Sequence, residues 1–182
     1  MSTTLTLFVV SVVLISSLSI VWSTVRYGIS PTPSSPYLTE TMADLPSIPS
    51  GATLIDLGSG WGHLANLLAK KHPDCMVCGY ERSVLPFLFS RLCYRRPNLH
   101  FYFIDFYDVL PPNDAILFCY LYPNAMKKLS VHLAPFRGIL VSNTFALPNA
   151  SPAQVRTLND AFRSHVYLYN LSGSTAPPSP PA

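Results

Sequence analysis

Thr53-Leu54-Ile55-Asp56-Leu57-Gly58-Ser59-Gly60-Trp61-Gly62-His63 is the stretch that decides the fold. An apolar β-type run, Thr53-Leu54-Ile55, leads into a glycine-rich turn. An amphipathic helical pattern follows from His63 to Lys71. Glycines let a backbone turn sharply and approach a ligand with no Cβ in the way. The first turn of the next helix offers unpaired N–H groups and a partial positive charge. A strand, a glycine turn and a helix in that order form a nucleotide-binding arrangement.

The spacing discriminates further. A dinucleotide fingerprint reads G-x-G-x-x-G. Here the pattern is G-x-G-x-G, and His63 stands where the third glycine of that fingerprint would fall. A nicotinamide-dependent oxidoreductase is disfavoured on that ground. Asp56 precedes the first glycine by two positions. About 20 residues on, where Rossmann-type sites hold a ribose hydroxyl pair, Glu81 ends Met76-Val77-Cys78-Gly79-Tyr80-Glu81. The plainer alternative is a structural turn followed by an ordinary surface glutamate. An acid at the tip of the second strand argues against it.

Strand and helix patterns alternate around this core. Strands are predicted over Ala52 to Asp56, Cys75 to Tyr80, Leu99 to Ile104, Ala115 to Tyr120 and Gly138 to Phe145. Helices are predicted over Trp61 to His72, Val84 to Tyr94 and Asn124 to Leu133. Val155 to Leu158 and His165 to Leu171 read as a terminal hairpin, with a helix over Ala153 to Phe162 as the alternative. Such alternation implies a mostly parallel sheet with an antiparallel C-terminal hairpin. Ligands of such sheets bind at the carboxyl ends of the strands. Asp56, Glu81 and Asp105 all fall at such ends.

Charged residues are only 12% of the 182 residues, against roughly a quarter in a soluble domain. Part of the deficit lies at the N-terminus. No charged side chain occurs from Met1 to Val25, and Leu5 to Trp22 is almost all apolar, Ser or Thr. Eighteen or more such residues can span a bilayer. A cleaved leader would start with a basic segment, and this one has no Lys or Arg there. Arg26 follows the stretch, and Trp22 and Tyr27 suit an interface. The expectation is one transmembrane anchor over 1–25, with the catalytic domain on the cytoplasmic side. Residues 26–50 then form a Pro/Ser-rich linker with a short helix from Tyr37 to Leu45. The main domain covers 51–171, and the Pro/Ser/Ala-rich tail over 172–182 is expected to be disordered.

A net charge of +3 is too small to argue for nucleic acid. Arg91, Arg95 and Arg96 gather where a helix ends, a place where basic residues complement the dipole. Contact with anionic lipid headgroups is the alternative. Cys75-x-x-Cys78 has the spacing of a redox or zinc pair. It falls in a predicted buried strand, however, where positions i and i+3 point to opposite faces, and no second Cys/His pair has a zinc spacing. The cysteines therefore read as free core thiols, with no metal site. No Ser-His-Asp or Cys-His arrangement is legible, so no catalytic residue is assigned.

The D-x-G-x-G-x-G run closely resembles the first motif of the class I S-adenosylmethionine-dependent methyltransferases. That resemblance implies a Rossmann-like fold and S-adenosylmethionine as cofactor. It implies cofactor-binding roles for Asp56, Gly58, Gly60, Gly62, Glu81 and Asp105. The glycines would pass under the methionine part and ribose, and Asp56 would orient the loop or hold the ammonium. Glu81 would accept from the ribose hydroxyls, and Asp105 would lie near the adenine amino group. For Asp105 the local sequence equally fits an N-cap of the following turn. Tyr120 and Tyr122, after the fourth strand, would border the methyl acceptor; aromatic packing is the bland alternative.

A closer resemblance rests on several motifs in order. They are Pro36-Tyr37, Asp56-Leu57-Gly58-Ser59-Gly60, Gly79-Tyr80-Glu81, Tyr120-Leu121-Tyr122-Pro123 with Met126, and Val141-Ser142-x-x-Phe145-x-Leu147-Pro148. Together they resemble a small membrane-anchored methyltransferase family, over about Tyr37 to Leu171. The family has bacterial members, which would sit at the inner membrane. It also includes mitochondrial lysine methyltransferases that act on the ATP synthase c-subunit and the adenine nucleotide translocase. A lysine of a membrane protein is the acceptor this implies. Trp61 and His63 stand where the family carries Asp and Arg, so a lipid or small-molecule acceptor stays open. So does a membrane-tethered binding module without catalysis.

Overall fold

The computed structural model describes residues 3–11, 36–160 and 163–173. Of the expected anchor over 1–25, only the helical stretch 3–11 (α1) is described. Among the described residues no helix is long and apolar enough to cross a membrane. Residues 26–35 of the linker, and the tail from 174, also lie outside the described residues.

The remaining elements are α2 (Pro36–Asp44), β1 (Thr53–Leu57), α3 (His63–Lys71), β2 (Met76–Glu81), α4 (Val84–Cys93) and β3 (Leu99–Phe103). A 3₁₀ turn (Phe106–Asp108) leads to β4 (Ile116–Cys119), α5 (Pro123–His132), β5 (Arg137–Asn143), β6 (Gln154–Thr157) and β7 (His165–Ser172). The sheet has seven strands in the order β3-β2-β1-β4-β5-β7-β6. β1 pairs in parallel with β2 and β4, and β2–β3 and β4–β5 are also parallel. β7 runs antiparallel to both β5 and β6. The chain builds outward from β1 to β3 and then returns to place β4 on the other side of β1. That reversal puts the ligand crevice beyond the ends of β1 and β4.

Strands buried on both faces read as nearly continuous apolar runs, and β1 shows why. Leu54 enters the core that α2, α3 and α4 cover with Met42, Ala65, Leu68 and Phe87. Ile55 and Leu57 point the other way, against Met126 and Leu129 of α5 and Phe106. Full burial of each such side chain stabilises the fold by roughly 1.5–3 kcal/mol. Lys71 ion-pairs with Glu40 and Asp44, which pins α2 along α3. The Asn98 amide donates toward the carbonyls of Ala69, His72 and Cys75, closing the end of α3.

The expected hairpin is present, and one expectation about the cysteines needs correction. The helical alternative over Ala153 to Phe162 gives way to β6 at Gln154–Thr157, paired with β7. All four β6 side chains are exposed, and the strand is held by its antiparallel pairing with β7. The cysteines are free thiols, and Cys75 and Cys78 enter the opposite cores that their spacing predicts. Cys93, in contrast, is exposed. It ends α4, beyond Pro86, Phe87 and Ser90, through which that helix meets the sheet.

Candidate functional site

The glycine turn is stitched to the tip of β2. The N–H groups of Gly58 and Ser59 both donate to the Tyr80 carbonyl, each at 2.9 Å. The Gly60 N–H donates to Glu81 Oε2 at 2.8 Å, and the Ser83 N–H donates to Oε1 at 2.6 Å. Glu81 is 8% exposed, and its carboxylate joins the loop to the start of α4. Each oxygen still keeps a lone pair, so the group presents two adjacent charged acceptors.

The glycines divide into two kinds. Gly60 has φ +52, and a Cβ added there would meet nothing within 4 Å. It lies against open space, as a residue under a ligand must. Gly62 has φ +81, and its added Cβ would lie 2.8 Å from both Phe101 and Ser90. Its bare Cα lets α3 begin close against β3 and α4. Gly58 meets Leu121 and Phe106 at ordinary distances.

Asp56 is buried at the end of β1. Gly62, the N-cap of α3, has no side chain with which to cap it. Asp56 substitutes, accepting from the Ala65 N–H in the first turn. Burial pushes its pKa up to about 7; the Glu81 carboxylate pushes the same way, and the Ala65 bond partly offsets both. A buried carboxylate beside a second one favours a cation in the crevice.

Asp105 caps the 3₁₀ turn. Its Oδ1 accepts from the Tyr107 N–H at 3.1 Å, and its Oδ2 pairs with Arg82. The N-cap alternative is thus realised, and Arg82 adds a partner that spacing did not reveal. It ties the loop after β2 to the loop after β3.

A different chemistry occupies the ends of β4 and β5. Tyr120 and Tyr122 are about two-fifths exposed. Burial raises the Tyr120 pKa above its ordinary value, partly offset by a hydrogen bond with the Thr144 side chain. The Tyr122 ring lies 5.9 Å from Phe145. Thr144 has φ 63, an outlier for a β-branched residue. Its hydroxyl donates to Asn143 Oδ1 at 2.8 Å. Asn143 is fully buried, and its Nδ2 has no partner among the described residues. Ser59 Oγ, in the glycine turn, is likewise buried without one. Sequence reasoning passed over Asn143 and Thr144. The one available signal was an Asn at a strand position, where that residue is depleted.

Neighbouring groups are structural. The Tyr107 hydroxyl donates to the Ala125 carbonyl at 2.8 Å, and burial raises its pKa. Burial pushes the Cys119 thiol up to about 12, so it is no nucleophile at neutral pH. His63 packs its ring against Tyr94.

No family model matches this chain. Over 46 residues it is 41% identical to the sterigmatocystin 8-O-methyltransferases of Aspergillus flavus and Aspergillus parasiticus. The match takes in 25% of this chain and only 11% of those relatives. Among solved structures it is similar to an RNA methyltransferase from Salinibacter ruber in complex with S-adenosyl-L-homocysteine. There the TM-score is 0.69 at 21% identity, over 82% of this chain and 97% of that one. It is also similar to precorrin-6y C5,15-methyltransferase from Geobacter metallireducens, with a TM-score of 0.56 at 14% identity, over 78% and 90% of the two chains. A S-adenosylmethionine-dependent methyltransferase from Thiobacillus denitrificans, also holding S-adenosyl-L-homocysteine, gives 0.52 at 16%, over 70% and 53%. The chain therefore has the Rossmann-like class I methyltransferase fold.

Proposed function

We propose that this chain is a S-adenosylmethionine-dependent methyltransferase held at a membrane by its N-terminal segment 1–25. One observation carries the reading. The Glu81 carboxylate is buried at the tip of β2 and bonded to the N–H of Gly60, the glycine whose Cα faces open space. The solved relatives with S-adenosyl-L-homocysteine support the choice of cofactor.

The residues fit that cofactor by chemistry. Glu81 keeps two acceptors for a vicinal diol. Gly60 supplies backbone that a ligand can approach, and the family resemblance would add Gly58 beside it. Asp56 and Glu81 together favour a cationic ligand, and the family resemblance would set Asp105 near the adenine amino group. Gly62 supports the turn through its packing against Phe101 and Ser90. S-adenosylmethionine, when bound, supplies a methyl group already activated by a sulfonium. What remains for the protein is to align the acceptor and exclude water. Tyr120, Tyr122, Asn143 and Thr144 are the groups at hand, and all are neutral.

The membrane anchor rests on the uncharged N-terminal stretch. The resemblance to membrane-anchored lysine methyltransferases makes a membrane-protein lysine the first acceptor to test. A second reading is O-methylation of a lipid or small molecule, favoured by the 46-residue match to O-methyltransferases. Incubating membranes with the full chain and a radiolabelled methyl donor separates these. Label in protein supports the first reading, and label in the organic extract supports the second. Cofactor binding with no transfer to any fraction would leave a tethered binding module.

A further inference from the structure

Helix α4 is apolar on both sides. Its inner face, Pro86, Phe87 and Ser90, packs on the sheet. Its outer face carries Val84, Leu88 and Leu92, spaced four apart on one stripe and 50%, 46% and 64% exposed. Phe89 beside them and Phe103 of β3 are exposed as well. A soluble surface helix carries polar residues on its outer face; one that is apolar all round is buried or in contact with a membrane. β3 is the edge strand of the sheet, and no described element covers this side.

The stripe ends in positive charge. Arg91 and Arg95 are exposed, and with Arg96, Tyr94 and His100 they line an open groove of about 640 Å³. Arg96 already donates to Asn66 Oδ1 at 2.8 Å and Arg91 lies over the Phe87 ring at 5.9 Å, while Arg91 and Arg95 keep exposed side chains. Guanidinium groups bind phosphate oxygens in a bidentate way. An exposed aliphatic stripe with arginines at its margin is the composition of a helix that lies in a headgroup layer.

We propose that the outer face of α4, with Phe103 of β3, docks on an anionic membrane surface. The aliphatic stripe then rests at the acyl boundary, and Arg91 and Arg95 engage lipid phosphates. Trp61 of the glycine turn packs edge-on against Phe89 at 5.3 Å. Docking thus places the crevice beside the bilayer. The inference stands on exposure and charge, independently of methyl transfer.

Cys93 supplies the probe, because it is exposed on this helix while Cys75, Cys78 and Cys119 are buried. The full chain carrying an environment-sensitive fluorophore on Cys93 is mixed with phosphatidylcholine vesicles, with or without phosphatidylserine. We expect a blue-shifted emission, quenched by nitroxide lipids, on the serine-containing vesicles and only weakly on the others. Arg91→Gln and Arg95→Gln should each lower the docking equilibrium roughly fivefold, and Leu88→Ser/Leu92→Ser should abolish the quenching. A probe that stays in water on both vesicle types overturns the proposal, as does equal quenching on both. Concentration-dependent shielding without vesicles would also overturn it, since a second copy would then cover the face.

Discussion

The carboxyl ends of β1 and β2 and those of β4 and β5 lie side by side at one edge of the sheet, yet they are built in opposite ways. At the first, carboxylates meet backbone. Glu81 takes the N–H groups of Gly60 and Ser83, and Asp56 takes that of Ala65. At the second, neutral side chains meet one another: Thr144 bonds Asn143, while Tyr120 and Tyr122 stay partly exposed. The first end is charged and held by main chain, so it suits a ligand shared across the fold. The second is neutral and made of side chains, so it can be remodelled for an acceptor without disturbing the sheet. Asn143 holds back a buried donor there, and Thr144 holds a strained backbone, two features that collect at functional sites.

The largest expected effect tests the charge of the first end. The Asp56 pKa is raised to about 7 from 3.8, so the folded protein binds a proton that the unfolded chain has lost. The stability from this group is complete below about pH 4 and is lost as pH rises through 7, by on the order of 4 kcal/mol. Asp56→Asn should therefore stabilise the unliganded protein at pH 8, and the gap to the parent should close toward pH 4. The same change should weaken S-adenosylmethionine binding. Thermal melts and titrations across pH check both, and a variant with no gain at pH 8 would remove the buried charge from the contrast.

Next in size is the difference between two glycines. Gly62→Ala should cost about 2–4 kcal/mol of stability, since its Cβ meets Phe101 and Ser90 in a left-handed conformation. Gly60→Ala should cost only about 1 kcal/mol by chemical denaturation and instead weaken cofactor binding. Equal losses of stability would erase the distinction between a packing glycine and a ligand-facing one.

The smallest effect concerns the second end. Asn143→Leu removes a buried donor without a partner but also the acceptor of the Thr144 hydroxyl, so the two effects offset and stability should change by less than about 1 kcal/mol. Cofactor affinity should stay unchanged while transfer to the acceptor falls. A parallel loss of cofactor affinity would merge the two ends into one site.

How much of this was legible follows the same division. The β1–α3–β2 unit could be read because glycines, an acid and two periodicities fall within a short span of chain. Asp56, Glu81 and Asp105 were placed at strand ends by that pattern. The partners of Gly62 were not legible, since Phe101 and Ser90 come from distant elements that only the fold assembles. The same holds for Arg82 beside Asp105. β6 was ambiguous because Gln154–Thr157 is exposed on every residue and has no period to read. Asn143 and Thr144 follow the apolar core of β5, and nothing local marks a buried amide or a left-handed threonine.

The central claim is that the β1–β2 crossover cradles a sulfonium nucleoside through Glu81. Calorimetric titration of the full chain with S-adenosylmethionine, beside Glu81→Ala, tests it most directly. The account predicts saturable binding by the parent, displaced by S-adenosyl-L-homocysteine, and an affinity lower by about 1.5–3 kcal/mol in the variant. A folded parent that binds nothing, or a variant that binds as tightly as the parent, would contradict it.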